Sequence, residues 1–206
     1  MKRLNENKII KNILENSKLK TEPKYPANLD LIKGIGDDAA YWKDDKFAYC
    51  TSTDSLVENV HFKLNYFTPT ELGRKSVAVN LSDIAAMGAT PLGMLINLGI
   101  TKSQDEEWIN DFYKGVFQLS ESYNSPVLGG DLVYSSTLFI SITCFGYREL
   151  KINGNKDVFM DRSKLQDGDL LYVTGYLGDS KAGLEILNSN LGINGESTHH
   201  KELIRN

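Results

Sequence analysis

Aspartates stand beside hydroxyls and glycines at four places in the chain: Asp37-Asp38 after Gly34-Ile35-Gly36, Asp54 after Ser52-Thr53, Asp83 after Ser82, and Asp131 after Gly129-Gly130. No His/Cys cluster accompanies them. Carboxylates and hydroxyls are hard oxygen donors that suit Mg²⁺ above all, and Mg²⁺ on carboxylates is usually shared with substrate phosphates. The implied ligand is a nucleotide or another phosphate. Taken singly, an Asp near Gly reads as a turn or cap residue. Asp83 is different, because residues 76–87 are apolar on nearly every side except at Asn80, Ser82 and Asp83. A helix apolar all round is expected to be buried, and a buried carboxylate needs a cation or several donors.

Other chemistries are excluded by spacing. Gly34-Ile35-Gly36-Asp37-Asp38-Ala39 fits G-x-G-x-x-A, but that fingerprint needs a helix to follow so that its N-terminus can hold a pyrophosphate. Here a hairpin follows, and two aspartates in the loop would repel phosphate unless a metal lay between. There is no G-x-x-x-x-G-K-[ST] loop, no G-x-S-x-G elbow and no H-E-x-x-H pair. Three further residues carry both a structural and a functional reading. His61 is a lone histidine next to an acidic island, Tyr113 is a helix tyrosine beside Phe112, and Arg162 is a charge in a polar stretch that could grip a phosphate with both arms of its guanidinium.

These residues need elements to hold them. Residues 4–19 read as an amphipathic helix, and 39–42 and 47–53 as a hairpin around Lys43-Asp44-Asp45-Lys46. Thr68-Pro69-Thr70-Glu71 is a capping box that opens a helix ending at Gly88, and Ser103 to Glu106 reads as a second box. Strands are expected at 93–100, 126–128, 137–147 and 170–174, with a polar linker at 148–168 and a helix after Gly178. The fold class is α+β, with a mixed or antiparallel sheet covered by helices, followed by the start of a second α/β domain. The expected partition is 1–148 for the first domain and 149–206 for the linker and an incomplete second one.

Composition narrows the class. Of 206 residues, 41% are hydrophobic and 24% charged, as in ordinary globular proteins. Lys and Arg number 23 against 27 Asp and Glu, so no overall basic surface favours nucleic acid as a partner. Cys50 and Cys144 lie in apolar runs without CxxC spacing and are expected to be buried free thiols. With no signal-peptide core and no apolar run of about 18 residues, the expected location is cytoplasmic, away from membranes.

The motifs 34–39, 52–58 with His61-Phe62, 78–89, Gly129-Gly130-Asp131, and Thr174-Gly175 with Gly178-Asp179-Ser180 occur together in this order. Over residues 32–187 the chain resembles the thiamine-monophosphate kinases, of the superfamily that includes aminoimidazole ribonucleotide synthetase and selenophosphate synthetase. The resemblance implies a homodimer formed through the first domain and transfer of the ATP γ-phosphoryl to thiamine monophosphate, giving thiamine diphosphate. It implies that several Mg²⁺ ions are held by Asp38, Ser52, Thr53, Asp54, Asp83 and Asp131. Tyr113, Gly130, Asp131 and Arg162 match positions around the nucleotide, and His61 matches a substrate contact. No protein nucleophile or base is implied. The chain departs from the family where Leu132 and Val133 follow Asp131 in place of Thr, and where Lys164-Leu165 replace the usual Gly-Ala. It also stops before the family's second acidic motif. Two alternatives stay open: another ATP-dependent synthetase of the superfamily, and a dimerising ATP/Mg-binding fragment without turnover.

Overall fold

The computed structural model describes residues 5–16, 26–150, 159–173 and 175–188. The chain divides into two units, Met1–Lys164 and Leu165–Asn206.

The first unit contains helix α1 (Glu6–Asn16), strands β1 (Asp30–Lys33), β2 (Ala40–Lys43) and β3 (Phe47–Val57), helix α2 (Pro69–Ala86), strand β4 (Thr90–Ile100), helix α3 (Glu106–Ser122), and strands β5 (Val127–Tyr134) and β6 (Phe139–Glu149). The six strands form one sheet in the order β1-β2-β3-β6-β4-β5. Every neighbouring pair is antiparallel except β4 and β5. The sheet is therefore mixed, and the α+β expectation holds.

Period-2 alternation decides which side chains meet the helices. Ala48, Cys50 and Leu56 of β3, Met94, Ile96 and Leu98 of β4, and Ile140, Ile142 and Cys144 of β6 are buried in one core with Leu72, Val77, Leu81 and Ile84 of α2. Helix α2 lies on β3, β6 and β4, and α3 packs against α2.

Helix α2 starts as its capping box dictates. Thr68 Oγ1 accepts from Glu71 N at 3.3 Å, and Glu71 Oε2 accepts from Thr68 N at 2.9 Å, with Pro69 following. Helix α3 departs from expectation: its N-cap is Asp105, whose carboxylate accepts from Trp108 N at 2.8 Å. Buried Gln104 explains the delay, because its Oε1 accepts from both Thr101 N and Thr101 Oγ1 and holds the chain in a turn.

Further expectations need correction. Helix α2 is not buried all round, since Ala78, Ser82, Ala85 and Ala86 face solvent. Small alanines leave little apolar surface to hide, so hydropathy overstated the burial. Strand β1 carried no alternating pattern that marked it. Strand β3 runs on to Val57, paired to β6 along its whole length, and β5 runs on to Tyr134, so Asp54 and Asp131 sit within strands and not at their ends.

In the second unit, helix α4 spans Asp179–Asn188 and follows Gly178 as expected. Residues 170–173 form no strand, with Leu170, Leu171, Tyr172 and Val173 all exposed. A lone extended segment gains no ladder hydrogen bonds without a partner. Thr174 and residues 189–206 lie outside the described residues.

Candidate functional site

Alternation along β3 sends Ser52 and Asp54 to the helix-covered face and Thr53 to the open one. On the covered face, Ser52 Oγ donates to Asp83 Oδ2, which joins β3 to α2. The same joint has a second hydrogen bond: Asp54 N donates to Asn80 Oδ1 at 3.1 Å, while Asn80 Nδ2 donates to Ser76 O at 2.9 Å. Asn80 is fully buried, and the sequence marked it only as polar in an apolar run.

Asp83 is half-buried rather than enclosed. Burial pushes its carboxyl up from the ordinary value, and the negative charges of Asp54 and Asp38 add to that, while the Ser52 hydroxyl and Arg162 pull it down. Ionised Asp83 thus stands among like charges, the condition that a cation would relieve.

Asp38 comes to this group from the loop between β1 and β2. Arg162 grips it with both arms: Nε donates to Oδ2 at 3.1 Å and Nη2 donates to Oδ1. Arg162 Nε also lies 3.8 Å from Asp37 Oδ1. Asp37 itself is enclosed, and its Oδ2 has no hydrogen-bond partner; the nearest cation, Lys33 Nζ, is 3.6 Å away.

What brings Arg162 here was not legible in the polar stretch 148–168. Phe159 is buried and meets Tyr41 edge-on at 5.3 Å, and Met160 N donates to Met87 O at 3.1 Å. Asp161 accepts from Ser163 N at 2.8 Å, from Ser163 Oγ at 2.6 Å and from Lys33 Nζ at 3.2 Å, and from Tyr41 OH at 3.3 Å. The Ser163 hydrogen bonds, and then Lys33, hold the Asp161 carboxyl far below the usual carboxylate range. A 3-10 turn, Arg162–Lys164, then points the arginine back at the loop.

The remaining expected site residues lie apart from this group. Thr53 Oγ1 donates to Ile142 O at 3.0 Å on the open face. Asp131 is exposed on the same open side, in register with Asn97, which is itself opposite Ser141. Gly130 has φ +153°, and a Cβ there would collide with Ile96 O, so close strand packing already requires a glycine. Tyr113 is half-buried between Phe112 and Phe117 on α3, and burial raises its hydroxyl's pKa. His61 is exposed just beyond β3, where its Nδ1 accepts from Val57 N at 3.0 Å.

Among the described residues no three His, Cys, Asp or Glu side chains converge tightly enough to hold a metal ion. The donor chemistry around Asp83 nevertheless fits a hard cation. Asp38, Asp54, Asp83 and Ser52 offer only oxygen, and the three carboxylates act on one another as like charges.

The family described as AIR synthase related protein, N-terminal domain, matches residues 36–147. The chain belongs to that family. Among curated members, the thiamine-monophosphate kinase of Buchnera aphidicola subsp. Schizaphis graminum is 40% identical over 184 residues, covering 89% of this chain and 52% of that protein. The thiamine-monophosphate kinase of Bacillus subtilis is 38% identical over 156 residues, covering 75% of this chain and 46% of that protein. The chain spans about half the length of these curated relatives. Among solved structures, AaThiL complexed with AMPPCP and TMP superposes with a TM-score of 0.82 at 30% identity, covering all of this chain and 60% of that one. Thiamine monophosphate kinase from Aquifex aeolicus superposes with a TM-score of 0.75 at 30% identity, over 98% and 60% of the two chains.

Proposed function

We propose that the chain serves ATP-dependent phosphorylation of thiamine monophosphate to thiamine diphosphate. The observation that carries this is the oxygen-only group of Asp38, Ser52, Asp54 and Asp83 on one face of a sheet whose relatives are named thiamine-monophosphate kinases. In this reading residues 1–148 form the ATP- and cation-binding, dimerising domain, 149–206 lead into a second domain, and 159–164 lend Arg162 to the first.

Asp38, Asp54 and Asp83 with Ser52 would hold Mg²⁺, which when bound neutralises the two phosphate groups that must approach each other. Thr53 and Asp131 face the other side of the sheet, so as ligands they would serve a separate ion. The Ser52–Asp83 and Asp54–Asn80 hydrogen bonds set the separation of β3 and α2, and so pre-position their oxygens. Arg162, Tyr113 and Gly130 would contact the nucleotide, Arg162 through its planar fork. The His61 nitrogen held by Val57 N–H is Nδ1, which leaves Nε2 to donate to the phosphate of thiamine monophosphate. No base is needed, because the attacking phosphate oxygen is already deprotonated at neutral pH. Nor does a thiol serve as nucleophile: burial pushes Cys50 up to about 11 and Cys144 up to about 12.

The open face of the sheet, with Leu92, Leu95, Leu128 and the Phe47, Tyr49 and Tyr147 rings, supports a homodimer. Free Cys50 and Cys144 agree with the reducing cytoplasm. Incubation with ATP, Mg²⁺ and thiamine monophosphate should yield thiamine diphosphate. Calorimetry should show Mg²⁺-dependent ATP binding that Asp83→Asn abolishes while the circular dichroism spectrum stays unchanged. Equal affinity in the variant would make Asp83 a structural carboxylate. Light scattering should report a dimer, and a monomer throughout the micromolar range would contradict it.

A further inference from the structure

We propose that Arg162 is a place-holder for the cation: it occupies Asp38 while no divalent ion is bound, and the two exclude each other at that carboxylate. Because Asp38 acts as a cation ligand only on the function proposed above, the proposal deepens that function.

Both Asp38 oxygens are engaged by one rigid fork, Nε on Oδ2 and Nη2 on Oδ1. A dication bound to the same carboxylate would stand within a few ångströms of a guanidinium that cannot lose its proton. Repulsion at that range, in a partly desolvated site, forces one of the two to leave. The arginine is the one able to leave, because its side chain is 65% exposed. It moves into water, whereas the carboxylates do not.

A second, independent observation comes from Asp37. Its side chain is only 1% exposed, yet Oδ2 has no hydrogen bond and relies on Lys33 at 3.6 Å, a lysine already hydrogen-bonded to Asp161. Arg162 contributes no closer contact to Asp37 than 3.8 Å. One exposed arginine and one lysine shared with Asp161 therefore offset a buried and a half-buried carboxylate without fully satisfying the buried one. A doubly charged ion would do better.

Release of the guanidinium need not release its backbone. Buried Phe159, the Met160–Met87 hydrogen bond and the Asp161 contacts anchor the segment to β1, β2 and the C-terminal end of α2. The freed fork stays tethered beside the ion that displaced it, where an anionic phosphate chain can take it up. Cation and nucleotide thus favour each other's binding, since each removes a cost that the other would otherwise meet.

The test uses Mn²⁺ as the probe, with free Mn²⁺ counted by electron paramagnetic resonance on the full chain without nucleotide. Arg162→Gln should bind Mn²⁺ about fivefold more tightly than the wild type, the scale of one exposed ion pair. Arg162→Lys, which keeps the charge and loses the fork, should fall between the two. In the wild type, the Arg162 Nε–H resonance should shift on saturation with Mg²⁺ alone, a readout independent of any variant's folding. Equal or weaker Mn²⁺ binding by Arg162→Gln, or an unmoved Nε–H resonance at saturating Mg²⁺, would overturn the place-holding role alone. Absence of Mn²⁺ binding by wild type and Arg162→Gln alike would overturn the cation assignment beneath it, and the proposal with it.

Discussion

Replacing Gly115 by alanine sets two local effects of opposite sign against each other. In an exposed helix interior the change would stabilise by about 1 kcal/mol, because alanine loses less backbone entropy. Gly115, however, lies where α3 crosses α2, and a Cβ there would stand 1.9 Å from Thr70 O, about 1.1 Å inside the 3.0 Å that real Cβ atoms keep. The crossing has a reciprocal contact, since a Cβ on Gly73 would meet Phe112 O and Val116 N. Both obstructions are backbone, so no side chain can swing aside, and the helices must separate by roughly 1 Å. Overpacking of this kind costs ~3 kcal/mol at the upper end of its usual range. The net loss is then ~2 kcal/mol, or about 4–8 °C in Tm for a domain of this size. Thermal unfolding followed by circular dichroism and calorimetry would measure it. Since α2 also carries Asp83 and Asn80, Mg²⁺-dependent ATP binding should weaken in step. A Tm equal to or above that of the wild type would show that helix propensity outweighs the close crossing, and would refute the argument.

Two further outcomes follow from the titrating groups. Cys50 and Cys144 should resist iodoacetamide at pH 8 in the native protein, because burial pushes their thiols up to about 11 and about 12, and should react fully in denaturant; rapid native labelling of either would contradict their burial. Asp161 has a folded-state value below its unfolded one, so the stability it adds is present above the ordinary Asp value of about 3.9 and is lost as pH falls below it. The urea midpoints of the wild type and Asp161→Asn should therefore differ by a constant amount at neutral pH, the gap narrowing only as pH falls below about 4 toward the lower folded-state value, whereas a gap independent of pH would mean that the carboxylate's charge plays no part.

The chain itself determined everything that acts within a turn or two of helix or along one strand. The Thr68–Glu71 box started α2, the polar run 43–46 turned the β2–β3 hairpin, and the spacing of the acidic islands with the block 78–89 was enough to mark the family. These signals are local, because caps, turns and periodicity are satisfied by residues three or four positions apart. Only the tertiary structure decided which island joins which. A one-residue step in a strand reverses the face, so Ser52 and Asp54 reach Asp83 while Thr53 does not, and Asp131 falls on the open side once β4 and β5 pair in parallel register. Hydropathy enclosed α2 more than packing does, because alanines count as apolar while offering little surface to bury. Arg162 stood in a run that composition marked as linker, and nothing within that run pointed to Asp38, 124 residues earlier. The burial of Phe159 against Tyr41 placed it there, and such a contact between distant segments exists only when the sheet edge that receives it has already formed.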